Sequence, residues 1–354
     1  MDTGIKRIFY LDVLRVIAIL AVIMLHCSSN YVINYKLGSI QFLLGDFFNS
    51  LSRIGVPLFV MISGALMLDE TKELPISKIK NKIIKLVYLL AGWSFFYTSY
   101  IKVISPLFFT HKEVTIKSIL WHFLHGHYHL WYLYMLLGLY LLLPVLRLFV
   151  KIENKKYIYY IIALSVLFQF MPDIFMKNKY VSEFFNQFDM DFVKGYWIYF
   201  IVGWIICRTG LKLQKIQKYF ISMICFCSWI AMFFCFYFFN GFNIFSNKFI
   251  LLFLYSTTLF ITIKNLIEKY EYEIPISIKN TTSHIANLSF GIYLIHVFVL
   301  DNICFLAKVL FNIKYENANC LLYIFITFVL TVFISYIISN LLYKNKFMKN
   351  CIKI

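Results

Sequence analysis

Charge is what this chain has least of, and acid is the scarcest charge. Only 14% of its 354 residues are Asp, Glu, Lys or Arg, and 17 are acidic. A soluble globular domain carries about a quarter charged residues. Also missing are a polar stretch long enough for a soluble domain, a linker, a low-complexity tract and an internal repeat of the transporter kind. These absences exclude a water-soluble enzyme and a string of domains. Cysteine forms no pattern. The eight are scattered, several lie inside apolar runs, and Cys225 and Cys227 are too close on a helix to pair. A disulfide framework and a Cys-based metal site are therefore not expected.

What is present is apolar length. The chain is 61% hydrophobic with a mean hydropathy of +0.75. Hydrophobic runs predict ten spans, at about 8–28, 42–68, 83–104, 130–149, 157–175, 192–208, 219–240, 248–267, 286–311 and 320–343. The second and ninth are long enough to be tilted or broken. Gly55-Val-Pro57 and Ser63-Gly64 offer break points in the second. Lys6 and Arg7 before an apolar run resemble a signal peptide, but Asp12 and Arg15 interrupt the run and no small-residue cleavage site follows. A retained first helix is expected. The fold class is all-α, a polytopic membrane protein of about ten helices, read as a single integral-membrane domain over 1–354 with no appended soluble domain.

The net charge of +17 raises nucleic acid as a partner, but its distribution argues against it. Lys and Arg crowd into alternate short loops: Lys6 and Arg7, then 69–85, 147–156, 208–218 and the C-terminal tail. That is the positive-inside pattern, and it predicts both termini in the cytoplasm. The 264–287 loop, also expected on that side, carries Glu268, Glu271 and Glu273 beside its lysines. No nucleic-acid partner is expected; the lipid bilayer is.

The first span carries the chemistry. It is apolar except for Asp12, Arg15 and His26. An ionisable group inside a bilayer costs several kcal/mol and is rare unless it works. Eleven residues at about 100° each return to within roughly 20°, so Arg15 and His26 share a face about 16 Å apart along the axis. Asp12 lies within about 60° of Arg15. The orientation puts His26 at the outer end, Arg15 in the inner half and Asp12 nearer the cytoplasm.

Four ordered blocks then resemble a known family, the integral-membrane acyltransferase 3 family, which includes bacterial polysaccharide O-acetyltransferases. They are Tyr10-Leu-Asp-Val-Leu-Arg15 with His26; Arg53-Ile-Gly-Val-Pro-Leu-Phe59 with Ile62-Ser-Gly64; His129-Leu-Trp-Tyr-Leu133 with Gly138-Leu-Tyr140 and Pro144; and Ser289-Phe-Gly-Ile-Tyr-Leu-Ile-His296. The resemblance implies ten helices, an acyl-CoA donor bound from the cytoplasm and an extracytoplasmic glycan or lipid-linked sugar as acceptor. It ties activity to Arg15 and His26. Many members carry Arg-x-x-Arg at the start of the third helix; here the place reads Lys82-Ile-Ile-Lys85, which keeps the charge and loses the bidentate guanidinium.

Each residue also has a plainer reading. His26 as an interfacial histidine needs no function, but its shared face with Arg15 favours a general base on an acceptor hydroxyl, with an acyl-His intermediate as the alternative. Arg15 pairs with Asp12 at i, i+3 and can also steady the donor or an oxyanion. Lys80, Lys82 and Lys85 are explained by topology alone as well as by CoA phosphates. Arg53, His129, Trp131, Tyr293, His296 and Ser63 are the substrate-side candidates. Of these, Trp131 equally suits an aromatic belt and Ser63 a packing or break element. His122, His125, His127 and His129 show no tetrahedral spacing, and no metal is expected.

The resulting expectation is a membrane-bound acyltransferase that uses acetyl-CoA as donor, located in a bacterial inner membrane. It would act alone, as a homo-oligomer or with cell-envelope glycan assembly proteins. The competing class is an exporter of polysaccharide or lipid-linked sugar, since intramembrane charges suit transport equally.

Overall fold

The computed structural model describes residues 8–104, 115–151, 156–170, 179–188, 190, 193–208, 213–238, 249–346 and 348–352. Among the described residues every regular element is a helix, and there is no strand. Thirteen α-helices follow in order: α1 Phe9–Asn34, α2 Ile40–Ser52, α3 Gly55–Met67, α4 Ile76–Ser99, α5 Ile116–His125, α6 Trp131–Lys151, α7 Lys156–Ser165, α8 Lys179–Asn186, α9 Trp197–Arg208, α10 Lys215–Phe238, α11 Ile250–Tyr270, α12 Ile276–Phe311 and α13 Cys320–Lys344. Seven runs among them are long and apolar enough to cross a membrane: α1, α2 with α3, α5 with α6, α10, α11, α12 and α13. Lys156–Phe170 and Trp197–Arg208 are shorter apolar helices. The molecule is an all-α, multi-pass membrane protein.

Local chemistry sets the breaks. The second expected span divides between Ser52 and Gly55. Pro57 lies in the first turn of α3, where a missing N–H leaves no helical bond unmade. Ser39 caps α2 by accepting from the Phe42 amide at 3.2 Å, and Asn319 caps α13 by accepting from Leu322 at 3.1 Å. Gly126, at φ +67°, ends α5 where a side chain would be strained.

The ninth span, expected from its length to be tilted or broken, is not broken. With no proline inside it, α12 runs unbroken for 36 residues, about 54 Å, well beyond the roughly 30 Å hydrocarbon core. The 264–287 loop shrinks accordingly to the turn between Tyr270 and Ile276. The C-terminal tail carries one more element, a 3₁₀ turn at Met348–Cys351.

Helix α1 is the hub, packed against α2, α3, α11, α12 and α13. Lipid is as apolar as leucine, so packing and hydrogen bonds hold such helices together rather than the hydrophobic effect. The tightest crossing is α3 on α9. A Cβ on Gly64 would run into the backbone of Phe200, and one on Gly203 into the backbone of Met61. Only glycine allows these backbones to meet.

One polar knot gathers three of the lysine- and arginine-rich loops on one side of the bundle. Arg147, 7% exposed, donates to the carbonyls of Met67 (2.6 Å), Asp69 (3.3 Å) and Lys72 (2.6 Å). Asp69 in turn pairs with Arg208 and with Lys72. The segment after α3 therefore meets the ends of α6 and α9, on the side their shared charge predicts.

Candidate active site

Polar groups gather at two places along α1. At its start Asp12 is buried (1% exposed) and receives Arg15 Nη1 at 3.1 Å on one oxygen and Ser283 Oγ of α12 at 2.8 Å on the other. Arg15, 27% exposed, faces a cavity of about 280 Å³ between α1, α3, α4, α6 and α12. Lys82 and Ser63 line the same cavity, and Tyr132, Tyr140 and Tyr293 close it. A guanidinium and an ammonium at one small cavity make a place for an anion.

Farther along α1, four imidazoles assemble. The His26 ring lies 5.2 Å from that of His296, and His296 lies 5.5 Å from His129. His127 and His129 bring their Nδ1 atoms to 2.9 Å, so one proton is shared between them. Tyr128 stands edge-on to His26 at 5.4 Å, and Tyr97 stacks on His127 at 4.7 Å. His296 is fully buried, and its Nδ1 sits 2.6 Å from the Tyr293 carbonyl. A carbonyl only accepts, so Nδ1 carries the proton and Nε2 presents a lone pair. Among the described residues that Nε2 has no hydrogen-bond partner, nor does His129 Nε2. Buried polar atoms are rarely left so, and a catalytic role is one reason for leaving them. Among the described residues no three His, Cys, Asp or Glu side chains group as metal ligands.

Tyr293 joins the two places. Its ring lines the Arg15 cavity, while its hydroxyl donates to the His129 carbonyl at 2.6 Å. Tyr132 packs edge-on against it at 5.2 Å. Together the two tyrosines form the partition between the cavity and the imidazoles.

A second polar stripe runs along α2. Asp46, Asn49 and Arg53 recur at i, i+3 and i+7, one helix face. Arg53 Nε and Nη2 donate to Asn49 Oδ1 at 2.9 and 2.6 Å. Asn49 Nδ2 is anchored on α1 by the Leu25 carbonyl, Ser28 and Ser29, the residues flanking His26. Arg53 is thereby held within electrostatic reach of His26.

Most expected site residues thus fall into two groups. Arg15, Ser63 and Lys82 line the cavity, with Asp12 buried behind Arg15; His26, His129 and His296 form the cluster with Arg53 near it; Tyr293 belongs to both. Three fall elsewhere. Trp131, 45% exposed, packs its ring on Tyr196 at 5.7 Å rather than on the imidazoles. Lys80 is exposed at the surface. Lys85 lines a different cavity from Lys82, the one walled by α13 and the C-terminal turn. Residues not anticipated include His127, Tyr128, Tyr97, Ser283, Asn49 and Asp46. The α2 stripe was readable from its spacing alone; Ser283 and Tyr97 carried no local signal.

Fold and site together define a multi-pass helical membrane protein with two polar clusters along one span, divided by tyrosines. The acyltransferase 3 family model, described as an acyltransferase domain, matches residues 8–340. The chain belongs to that family, and its chemistry is acyl transfer. No curated protein and no solved structure matches the chain.

Proposed function

We propose that the protein transfers an acyl group, acetyl in the simplest case, from cytoplasmic acyl-CoA to a hydroxyl of an extracytoplasmic glycan or lipid-linked sugar, in a bacterial inner membrane. The observation that carries this reading is the shared wall at Tyr293. A cationic cavity and an imidazole cluster lie on its two sides, so a donor held by phosphate and an acceptor held at histidine approach one partition.

In this reading Lys82 and Arg15 hold donor phosphate, Lys80 adds charge at the mouth, and the pantetheine arm extends past Tyr293 towards His26. Arg15 lies about 16 Å from His26 along α1, so its task is the donor rather than the oxyanion. His26 takes the proton of the acceptor hydroxyl. That oxygen attacks the thioester carbonyl, the C–S bond breaks, and the proton ends on the CoA thiolate. Ester and free thiol are the products. Arg53 is the cation near the developing charge. Ser63, on the cavity wall, contacts the arm.

The test is direct. Purified protein in vesicles is given acetyl-CoA labelled in the acetyl group, with membrane glycolipids as acceptors. Label is expected to move to a glycan ester, and His26→Ala and Arg15→Ala to abolish the movement. Export of glycan with no label transferred by the wild type would replace the enzyme reading with the exporter.

A further inference from the structure

A cavity larger than the one that holds Arg15 lies against another face of α4. A groove of about 960 Å³ runs between α4, α12, α13 and the turn Met348–Cys351. Its polar end is made by Lys85, Asn81 and Asn350; beyond them the walls are apolar, with Leu89, Trp93 and Phe96 along α4. Trp93 Nε1 donates to the Cys351 carbonyl at 3.0 Å and so pins the tail as one wall. Ile352 is buried beneath it, beside Gly291. At Gly92 the α4 wall is bare: an added Cβ would meet nothing within 4 Å.

Length and charge identify an occupant. Lys85 to Phe96 is eleven residues, about 16 Å of helix. One leaflet of a bilayer is about half of a 30 Å core, or 15 Å. The groove is therefore one leaflet deep, with a cation at the end that the lysine-rich loop marks as cytoplasmic. Basic pockets between helices on that side recognise anionic headgroups.

We infer that this groove is a binding site for an anionic phospholipid of the cytoplasmic leaflet, its phosphate on Lys85 and an acyl chain along α4 past Gly92. The inference is independent of the reaction proposed above and needs only the orientation.

Delipidated protein in mild detergent, titrated with phosphatidylglycerol or phosphatidylcholine of the same chains and read by native mass spectrometry, tests it. Phosphatidylglycerol is expected to bind about fivefold tighter, the factor one lysine near an anionic surface supplies. Lys85→Gln is expected to erase that preference. Gly92→Leu fills open space, so the fold stands while both lipids lose the site; an unchanged unfolding temperature checks the fold. Equal binding of the two lipids by the wild type, or retention of phosphatidylglycerol by a folded Gly92→Leu, overturns the proposal. So does a mass showing a second copy of the chain in place of lipid.

Discussion

His26 and His296, 270 positions apart in the chain, face each other with ring centroids 5.2 Å apart and planes tilted by 38°. His296 has its tautomer set by the Tyr293 carbonyl, so its lone pair points away from that bond. Among the described residues no hydrogen bond sets the tautomer of His26. The pair therefore divides into a histidine free to exchange a proton and one fixed in orientation beside it. His26→Ala is expected to lower kcat by about 10²- to 10⁴-fold, the usual worth of a positioned base. His296→Ala should cost roughly tenfold with the donor KM unchanged, since it removes a positioning neighbour. Steady-state kinetics with labelled donor separates the two, and an equal loss in both would end the division of roles.

Arg15 owes its aim to Asp12, and Asp12 is itself held by Ser283. Asp12→Asn keeps the shape and removes the charge. It is expected to raise the donor KM several-fold, with Ser283→Ala following in the same direction by less. Arg15→Lys should fail to restore wild-type KM, because an ammonium lacks the guanidinium fork. Binding of acyl-CoA measured by calorimetry reads this without turnover.

Lys82 and Lys85 are three residues apart and face different cavities. Lys82→Ala should raise the donor KM several-fold more than Lys85→Ala. The two would weigh alike if both reached the CoA phosphates, as their spacing alone suggests. Initial rates across a range of donor concentrations decide it.

The stripe on α1 was legible because a helix repeats at a fixed angle, so Asp12, Arg15 and His26 share a side whatever surrounds them. The break before Gly55 was legible for a similar reason: Pro57 has no amide to donate. The continuity of α12 was not, since its polar first turns fall outside the apolar window that marks a span. Nor was the partition of Lys82 from Lys85, which depends on where α12 and α13 lie against α4. The imidazole cluster was half legible. His26, His129 and His296 each stood in a recognisable block, but their meeting, and the place of His127 and Tyr97 beside them, is set by helix packing across the whole chain.

Gly64 and Gly203 let α3 and α9 touch backbone to backbone. Gly64→Ala and Gly203→Ala each force these helices apart. Overpacking of this kind costs about 1–3 kcal/mol and sometimes more. Both variants should unfold at lower temperature and yield less protein from the membrane. Because α3 also carries Ser63, activity of the folded fraction should fall as well. An Ala at either position with wild-type melting would show that the crossing is looser than drawn.

Tyr293 is the residue through which the two halves of the site communicate. Its ring closes the Arg15 cavity, and its hydroxyl holds the turn that carries His129. These two tasks separate by substitution. Tyr293→Phe keeps the ring and loses one hydrogen bond, which should lower kcat a few-fold with donor KM unchanged. Tyr293→Ala removes the wall. The thioester beside His26 is then no longer shielded, and water competes with the acceptor for it once the site is open. The expected signature is a fall in glycan ester together with a rise in acyl-CoA hydrolysis, followed as free thiol against labelled glycan. Parallel loss of both products would mean that Tyr293 supports the fold and does not partition the path.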